Sequence, residues 1–199
     1  MEFIYQRSNS LPQHLCKRII DKFEKDENKA PGRSGGGQIQ SNVKRSTDLG
    51  ISHRPEWKDV DKELEGILTK EIRNYIEYVS RHYKDKDHSA IIHTLSNVFD
   101  TGYQIQRVQP GQFYKWHHDF HDSDNRVMIF IWYLNDIKPG FGGRTQFSFN
   151  DLSILPETGK ILIFPAQWPW LHRGEPVRGK DTKYIITGFI RAENGEPKE

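Results

Sequence analysis

The sequence predicts a mainly β fold of the α+β class, a jelly-roll barrel buttressed by helices on its N-terminal side. Two observations predict it. Apolar residues recur at helical spacing within residues 1–90, and after about residue 103 they form short strand-like runs separated by turn residues. Helices that precede an antiparallel sandwich, instead of alternating with its strands, are typical of this class. We therefore expect a helical support in residues 1–90, the barrel in residues 91–191 and a tail in residues 192–199.

Two helices are predicted in the N-terminal part. Residues 11–27 carry apolar side chains on one face, and Pro12 suits a first helical turn with Ser10 as its cap. Residues 57–83 carry a longer apolar stripe with charged residues on the opposite face, which predicts a long amphipathic helix packed against a sheet. The segment between them, residues 31–42, is rich in glycine and poor in apolar residues, as expected for a mobile loop or a lid.

The C-terminal part reads as strands and turns. Proline and glycine pairs interrupt it repeatedly, and there are enough strand-like runs for two sheets. Residues 103–108 alternate between apolar and polar side chains, as in a half-buried strand. Three runs are apolar almost throughout, as expected for strands buried on both faces: residues 127–134, 161–164 and 184–190.

Length and composition favour one globular domain covering residues 1–199. Only 35% of the residues are hydrophobic, but eleven Phe, eight Tyr and five Trp supply large apolar groups for a core. The net charge of +2 and the lack of a basic block argue against a nucleic-acid partner. Cys16 is the single cysteine, which excludes an intramolecular disulfide, and no export signal or membrane-spanning run is evident. We expect a cytoplasmic protein without a membrane partner.

One short motif carries candidate metal ligands. His117 and Asp119 are two residues apart in a strand-like segment, so their side chains share a face while His118 points away. With His172, they would supply two imidazoles and one carboxylate, the ligand set of non-haem Fe(II) oxygenases. The alternative is a polar surface strand. His121 has the same parity as Asp119, but the turn residues around it argue against a fourth ligand.

Several further segments, together with this motif, resemble the Fe(II)/2-oxoglutarate-dependent dioxygenases of the prolyl 4-hydroxylase type. The resemblance implies a double-stranded β-helix, the cupin-like form of the jelly roll, and iron ligands His117, Asp119 and His172. It also implies hydroxylation of a C–H bond with decarboxylation of 2-oxoglutarate to succinate, using Fe(II), 2-oxoglutarate and O2, with ascorbate as a further candidate. The segments are residues 104–120, 133–135, 142–145, 156–165 and 172–184.

Lys183 is the residue that the resemblance implies for the far carboxylate of 2-oxoglutarate. Members of the family carry a basic residue followed by tyrosine on the strand after the second histidine, and this chain has Lys183 and Tyr184 there. A lysine on an otherwise apolar strand is costly to bury unless an anion pairs with it. The alternatives are an amine that reaches solvent, or Arg178 or Lys180 in the same role.

Two further residues are candidates for the 2-oxoglutarate pocket. Tyr133 occupies a position where some members of the family carry a tyrosine that hydrogen-bonds the same carboxylate, and Thr145 follows two glycines nearby. A buried tyrosine hydroxyl needs a partner, so a core tyrosine bonded to backbone is the alternative. Val108 departs from the pattern, because many prolyl 4-hydroxylases have a cosubstrate-binding tyrosine at that position. Tyr133 is a candidate to compensate for it.

The resemblance implies a prolyl residue in a peptide or protein as the substrate, with proline-rich segments as candidates. Aromatic grooves bind extended proline-rich peptides, and such a groove is a hypothesis for this chain. The alternative is that these aromatic residues belong to the core. The candidate groove residues are Trp116, Trp168, Trp170, Tyr103 and Phe113.

Residues 31–42 and 121–125 are candidate lids over a bound peptide, and the basic stretch 44–47 is expected to border the same mouth. Three other functions stay open. They are hydroxylation of a free amino acid or other small molecule, a cupin-like Zn²⁺ or Mn²⁺ protein with different chemistry, and a non-catalytic binding module. The cupin-like protein would not need Lys183, and the complete ligand set argues against the binding module.

Overall fold

The architecture comes from a computed structural model that describes residues 3–120 and 124–193. Helices α1 (Gln13–Lys25) and α2 (Lys58–His82) confirm the two predicted helices. A third helix, α3 (Ser89–Ser96), was not predicted, because a short apolar run cannot be assigned to a helix or a strand from its period alone. In the part of the chain that the structure describes, no helix is both long and apolar enough to cross a membrane.

The predicted cap of α1 is wrong. Pro12 occupies the position before the helix in an extended conformation, and no side chain caps the first turn. Ser10 instead accepts a hydrogen bond from Nε1 of Trp132 at 2.9 Å. A buried indole N–H needs a hydrogen-bond acceptor, and the Ser10 hydroxyl provides it for Trp132. This hydrogen bond also links the segment before α1 to the strand that contains Trp132.

Short antiparallel strands form the remaining regular structure. Three of them precede α2, so residues 1–90 contribute short strands in addition to the predicted helices and glycine-rich loop. In chain order the strands are β1 (Tyr5–Arg7), β2 (Ala30–Pro31), β3 (Thr47–Gly50), β4 (Val98–Asp100), β5 (Gln104–Val108), β6 (Tyr114–His117), β7 (Arg126–Tyr133), β8 (Thr145–Phe147), β9 (Ser153–Ile154), β10 (Ile161–Pro165), β11 (His172–Gly174) and β12 (Lys183–Ala192).

The strands form two sheets, as the sequence predicted. The larger has eight strands in the order β1-β10-β7-β12-β5-β3-β2, with β4 also paired to β12, and the smaller has four in the order β6-β11-β8-β9. Every described pairing is antiparallel. This is the double-stranded β-helix, so the predicted fold class is confirmed.

The larger sheet separates two cores. Because side chains alternate along β7, Phe130 and Trp132 point to the outer face, where they pack with buried residues of α1 and α2. Ile131 and Tyr133 point to the inner face and pack with Phe147 of the smaller sheet. The helices therefore buttress the outside of the barrel and leave its interior to the two sheets.

Gly188 in the middle of β12 is expected to tolerate no side chain. A Cβ placed on it would lie 2.3 Å from the Gly102 carbonyl oxygen and 2.6 Å from Cζ of Phe130. We expect Gly188→Ala to lower the free energy of unfolding by about 1–3 kcal/mol, the usual cost of overpacking. Denaturant titration measures this change.

Gly66→Ala is the matched control. Gly66 lies on the exposed side of α2 with no atom within 4 Å of an added Cβ. Alanine suits a helix better than glycine, so this variant should gain about 0.5–1 kcal/mol. Equal stabilities of the two variants would contradict the close approach at Gly188.

Candidate metal and cosubstrate site

Three side chains with metal-ligating groups meet between β6 and β11. His117 ends β6 and His172 begins β11, and the two are direct partners across the strand pair. Asp119 follows β6, where its backbone N–H donates to the carbonyl of Ala166 at 3.2 Å. Its Oδ2 lies 3.8 Å from Nε2 of His117 and 3.3 Å from Nε2 of His172. The structure thus brings all three predicted residues together, with their ligand atoms within 4.8 Å of one another.

Backbone carbonyls orient both imidazoles. Nδ1 of His117 lies 2.7 Å from the Lys115 carbonyl oxygen, and Nδ1 of His172 lies 3.0 Å from that of Trp170. An Nδ1–H that donates to a carbonyl leaves the lone pair on Nε2, which is the atom that faces Asp119. Tyr114 stacks on the His117 ring with centroids 3.5 Å apart and restricts it further.

Burial controls the charge of these groups. Desolvation lowers the pKa of His117 well below its ordinary value, and nearby His172 lowers it further. Desolvation also lowers the pKa of His172, against the opposing effect of Asp119, and it raises the pKa of Asp119. Neutral imidazoles are ready to bind a metal, and a cation between the three groups would favour the ionised carboxylate. Two imidazoles and one carboxylate fit Fe(II) and leave coordination positions open.

The neighbouring histidines do not join this cluster in the part of the chain that the structure describes. His118, predicted to point away, is exposed and lines the cavity, but it is not a member of the ligand group. His121 lies outside the described residues, as do the first three residues of the candidate lid 121–125.

Lys183 lies inside the barrel at the start of β12. It is only 4% exposed, and its Nζ donates to the Gly143 carbonyl oxygen at 2.8 Å. Burial lowers the pKa of Lys183 to about 8, although the nearby carboxylate of Glu175 opposes this. Arg178 and Lys180, the alternatives for this role, are exposed. Of the three cations, only Lys183 is buried and therefore positioned to pair with an anion in the interior.

Tyr133 and Thr145 lie beside Lys183. Both are buried, and the Tyr133 hydroxyl donates to Oγ1 of Thr145 at 2.6 Å. Nζ of Lys183 lies 5.5 Å from the centroid of the Tyr133 ring. Thr145 and Lys183 line the cavity, whereas Tyr133 is not among its lining residues. The hydroxyl of Tyr133 therefore orients that of Thr145, which can itself meet a ligand.

Asn135 positions Lys183 through the backbone, a role that was not predicted. Its side chain accepts a hydrogen bond from the N–H of Tyr184 and donates to the carbonyl of Thr182, both at 2.8 Å. The Tyr184 hydroxyl points away from the barrel to Oε1 of Glu24 on α1, also at 2.8 Å. These contacts fix both sides of Lys183.

One cavity of about 730 Å³ joins the two groups of residues. Val108 also lines it and is the direct partner of Lys183 across β5 and β12, so no tyrosine hydroxyl comes from that position. The predicted metal and cosubstrate residues on its wall are His117, Asp119, His172, Thr145 and Lys183. A metal at the triad and an anion at Lys183 would therefore share one chamber.

A comparison with protein-family models matches residues 103–191 to the 2OG-Fe(II) oxygenase superfamily. The match runs from just before β5 into β12 and includes the strands of the candidate site. No match was found among curated protein sequences.

Solved structures of prolyl hydroxylases share the fold of this chain. The 2OG complex of the viral collagen prolyl hydroxylase from Paramecium Bursaria Chlorella virus-1 has 21% identity and a TM-score of 0.67, covering 96% of this chain and 97% of that one. The Pseudomonas putida prolyl-4-hydroxylase has 16% identity and a TM-score of 0.68, with coverages of 96% and 94%. The Trichoplax adhaerens prolyl hydroxylase, in complex with a hypoxia inducible factor peptide fragment, has 14% identity and a TM-score of 0.75, with coverages of 97% and 85%.

The predicted aromatic groove is only partly present in the structure. Tyr103 is 4% exposed and packs in the outer core, and of the five candidates only Tyr103 and Phe113 line the cavity. Trp116 and Trp168 are exposed away from the cavity wall. The five candidate aromatic residues therefore lie in different environments, and sequence alone could not distinguish these environments.

The mouth of the cavity contains cations from two regions. Residues 33–35 and 44–46 line the cavity, so the predicted placement of the basic stretch is confirmed for its first three residues.

Arg126 at the start of β7 also lines the cavity, a placement that was not predicted. Its guanidinium lies 3.7 Å from the centroid of the Phe189 ring, and its NH1 donates to the Asp119 carbonyl oxygen at 3.3 Å. The sequence around Arg126 shows only an arginine before a buried apolar strand, and this pattern does not indicate that the residue lines a cavity.

Proposed function

We propose that the protein is an Fe(II)/2-oxoglutarate-dependent dioxygenase that hydroxylates a prolyl residue in a peptide or protein. The convergence of His117, Asp119 and His172 on one side of a cavity that also contains buried Lys183 is the observation that carries the proposal. The similar structures are a viral collagen prolyl hydroxylase bound to 2OG and a prolyl hydroxylase bound to a peptide fragment. They support a peptide substrate here.

In this proposal the triad holds Fe(II). Bound iron, with 2-oxoglutarate and O2, supplies the oxidising chemistry that converts 2-oxoglutarate to succinate and CO2 and hydroxylates a C–H bond. The protein needs no general base for this reaction. Its own side chains ligate the metal from one side and leave positions for the other reactants.

Lys183 binds the far carboxylate of 2-oxoglutarate in this proposal. In the barrel interior an ammonium and a carboxylate attract each other more strongly than in water, and the ligand offsets the cost of burying the lysine. The Thr145 hydroxyl, oriented by Tyr133, adds a hydrogen bond to the same group. These contacts select a keto acid of fixed length and orientation.

We further propose that the helices and the barrel form one oxygenase domain. β1 pairs with β10, and β3 pairs with β5, so N-terminal strands complete the larger sheet on both sides. These pairings support a single cooperative unit.

An anaerobic titration tests the class of chemistry without knowledge of the substrate. Metal-free protein receives Fe(II) and then 2-oxoglutarate while the visible charge-transfer band of the chelated keto acid is recorded. We expect a saturable band. Succinate release in the presence of proline-rich peptides then tests the substrate.

His172→Ala protein is the control for this titration and should give no band. If folded wild-type protein binds Fe(II) but develops no band with 2-oxoglutarate, a cupin-like metalloprotein with different chemistry becomes the better hypothesis. If the band forms but only free amino acids stimulate succinate release, the substrate is a small molecule instead of a peptide.

A further inference from the structure

Three basic residues on the cavity wall already have an acidic partner or a proposed ligand. Nζ of Lys44 forms a buried ion pair with Oδ2 of Asp48 at 2.7 Å. Nε of Arg126 pairs with Oδ2 of Asp124 at 2.6 Å. Lys183 is the proposed partner of 2-oxoglutarate. None of these charges is available to a macromolecular substrate.

Two other arginines on the same wall differ from these. Arg33 and Arg45 both line the cavity. Within residues 3–120 and 124–193, neither forms an ion pair with a carboxylate. Both are exposed. We call these two residues the arginine rim.

Backbone oxygens hold both guanidinium groups at the mouth. NH1 of Arg33 donates to the Gly37 carbonyl oxygen at 3.0 Å, within the glycine-rich loop. Nε of Arg45 donates to the Ser41 carbonyl oxygen at 2.9 Å, and the guanidinium carbon lies 5.1 Å from the centroid of the Phe113 ring. Each contact uses part of the guanidinium and leaves other N–H groups free to donate.

Arg173 on β11 is not part of this rim, although it lies next to His172. Its Nε donates to Oε1 of Gln146 at 2.7 Å, and its guanidinium carbon lies 4.7 Å from the centroid of the Trp116 ring. Neither Gln146 nor Trp116 lines the cavity, so the guanidinium of Arg173 lies on the other face of the smaller sheet. The contacts of Arg33 and Arg45, in contrast, order these two arginines at the mouth in advance, which reduces the entropy lost on binding.

Few acidic residues line the cavity, and each of them already has a partner or a proposed role. The described acidic residues that line it are Asp119 and Glu175. Asp119 belongs to the metal triad, and Oε1 of Glu175 pairs with NH2 of Arg178 at 3.2 Å. The mouth therefore has an excess of positive charge, although the chain as a whole carries only +2. A charge imbalance confined to the mouth of a cavity favours ligands of the opposite sign.

We infer that the arginine rim selects acidic peptides, in which aspartate or glutamate residues flank the target proline. This inference rests on the proposed function, because it assigns a substrate class to the same cavity. Flanking carboxylates reach the rim while the proline enters toward the metal triad. An arginine fork binds a carboxylate with two parallel hydrogen bonds, which gives specificity as well as attraction.

Fluorescence anisotropy tests the inference with three labelled peptides of equal length. Each has one central proline, and the flanking positions carry glutamate, glutamine or lysine. Binding is measured with Fe(II) and 2-oxoglutarate present under anaerobic conditions, so that the keto-acid band is recorded in the same sample. We expect the glutamate peptide to bind at least about tenfold more tightly than the glutamine peptide, and the lysine peptide to bind most weakly. Added salt should reduce the difference.

Arg33→Gln and Arg45→Gln should each weaken binding of the glutamate peptide by about twofold to fivefold and leave binding of the glutamine peptide unchanged. Arg73→Gln is the control and should bind like the wild type, because Arg73 is exposed on α2 and does not line the cavity. Equal affinity for all three peptides, or an unchanged preference in the double variant, overturns the inference. In either case a normal keto-acid band leaves the oxygenase assignment intact, whereas loss of the band in the wild type removes that assignment itself.

Discussion

His172→Ala is expected to abolish iron-dependent turnover of 2-oxoglutarate. The substitution removes one of three groups whose ligand atoms lie within 4.8 Å of one another. Loss of groups that merely support metal ligands already costs about tenfold to a hundredfold in metal affinity or activity, so loss of a ligand should cost more than about a hundredfold. Fe(II) affinity and succinate formation measure the effect.

His118→Ala is the matched control for this prediction. His118 is a histidine next to the triad, but it is exposed and outside the ligand group. We expect it to retain Fe(II) binding and the keto-acid band. Retained turnover in His172→Ala, or equal losses in both variants, would refute the assignment of the triad by strand parity.

The Lys183→Met protein is expected to lose 2-oxoglutarate binding. Without ligand, it should be more stable than the wild type. Methionine has a similar shape and no charge, so it removes the partner of the carboxylate and also the cost of burying an ammonium. The affinity for 2-oxoglutarate should fall at least about tenfold to a hundredfold. The free energy of unfolding at neutral pH should rise by on the order of 2 kcal/mol. Keto-acid titration and denaturant unfolding measure the two effects.

The pH dependence of the same residue gives an independent check. The pKa of Lys183 falls to about 8 on burial, so the ammonium is present below this pH and is lost as the pH rises through it. Affinity for 2-oxoglutarate should therefore decrease above about pH 8 in the wild type. The pKa in the unfolded chain is near the ordinary value of 10.5, so the unfolded state binds more protons between these values and the ligand-free protein gains stability with rising pH.

Lys183→Arg is the control for the pH effect, because arginine stays protonated throughout this range. Its 2-oxoglutarate affinity should change little between pH 7 and pH 9. A flat profile in the wild type, or a less stable Lys183→Met protein with unchanged cosubstrate affinity, would move the proposed role to another residue.

The features that sequence predicted well are those that local pattern determines. Alternation along a strand was enough to choose His117 and Asp119 over His118, since the pleat places every second side chain on one face. Apolar runs located β7, β10 and the greater part of β12, because strands buried on both faces need no polar side chains. The barrel and the triad followed from these two rules and from the resemblance.

Features that depend on distant partners were not predicted. β1 and β3 are short and polar enough to read as loops, and they are strands only because β10 and β5 offer them hydrogen-bonding edges. Sequence likewise did not reveal the ion pair of Lys44 with Asp48, because the inward orientation of Lys44 depends on the neighbouring strand β6. The burial of Tyr103 in the outer core has the same origin in tertiary packing.

Because β1 and β3 pair with strands of the barrel, the larger sheet extends beyond the residues that match the superfamily. Residues 103–191 match the superfamily, but excising them would uncover the strand edges that β1 and β3 protect on β10 and β5. Uncovered edges recruit other chains and promote aggregation. A chimera that transplants this active site into another scaffold must therefore carry the strands from Tyr5 onward, or supply substitutes for them.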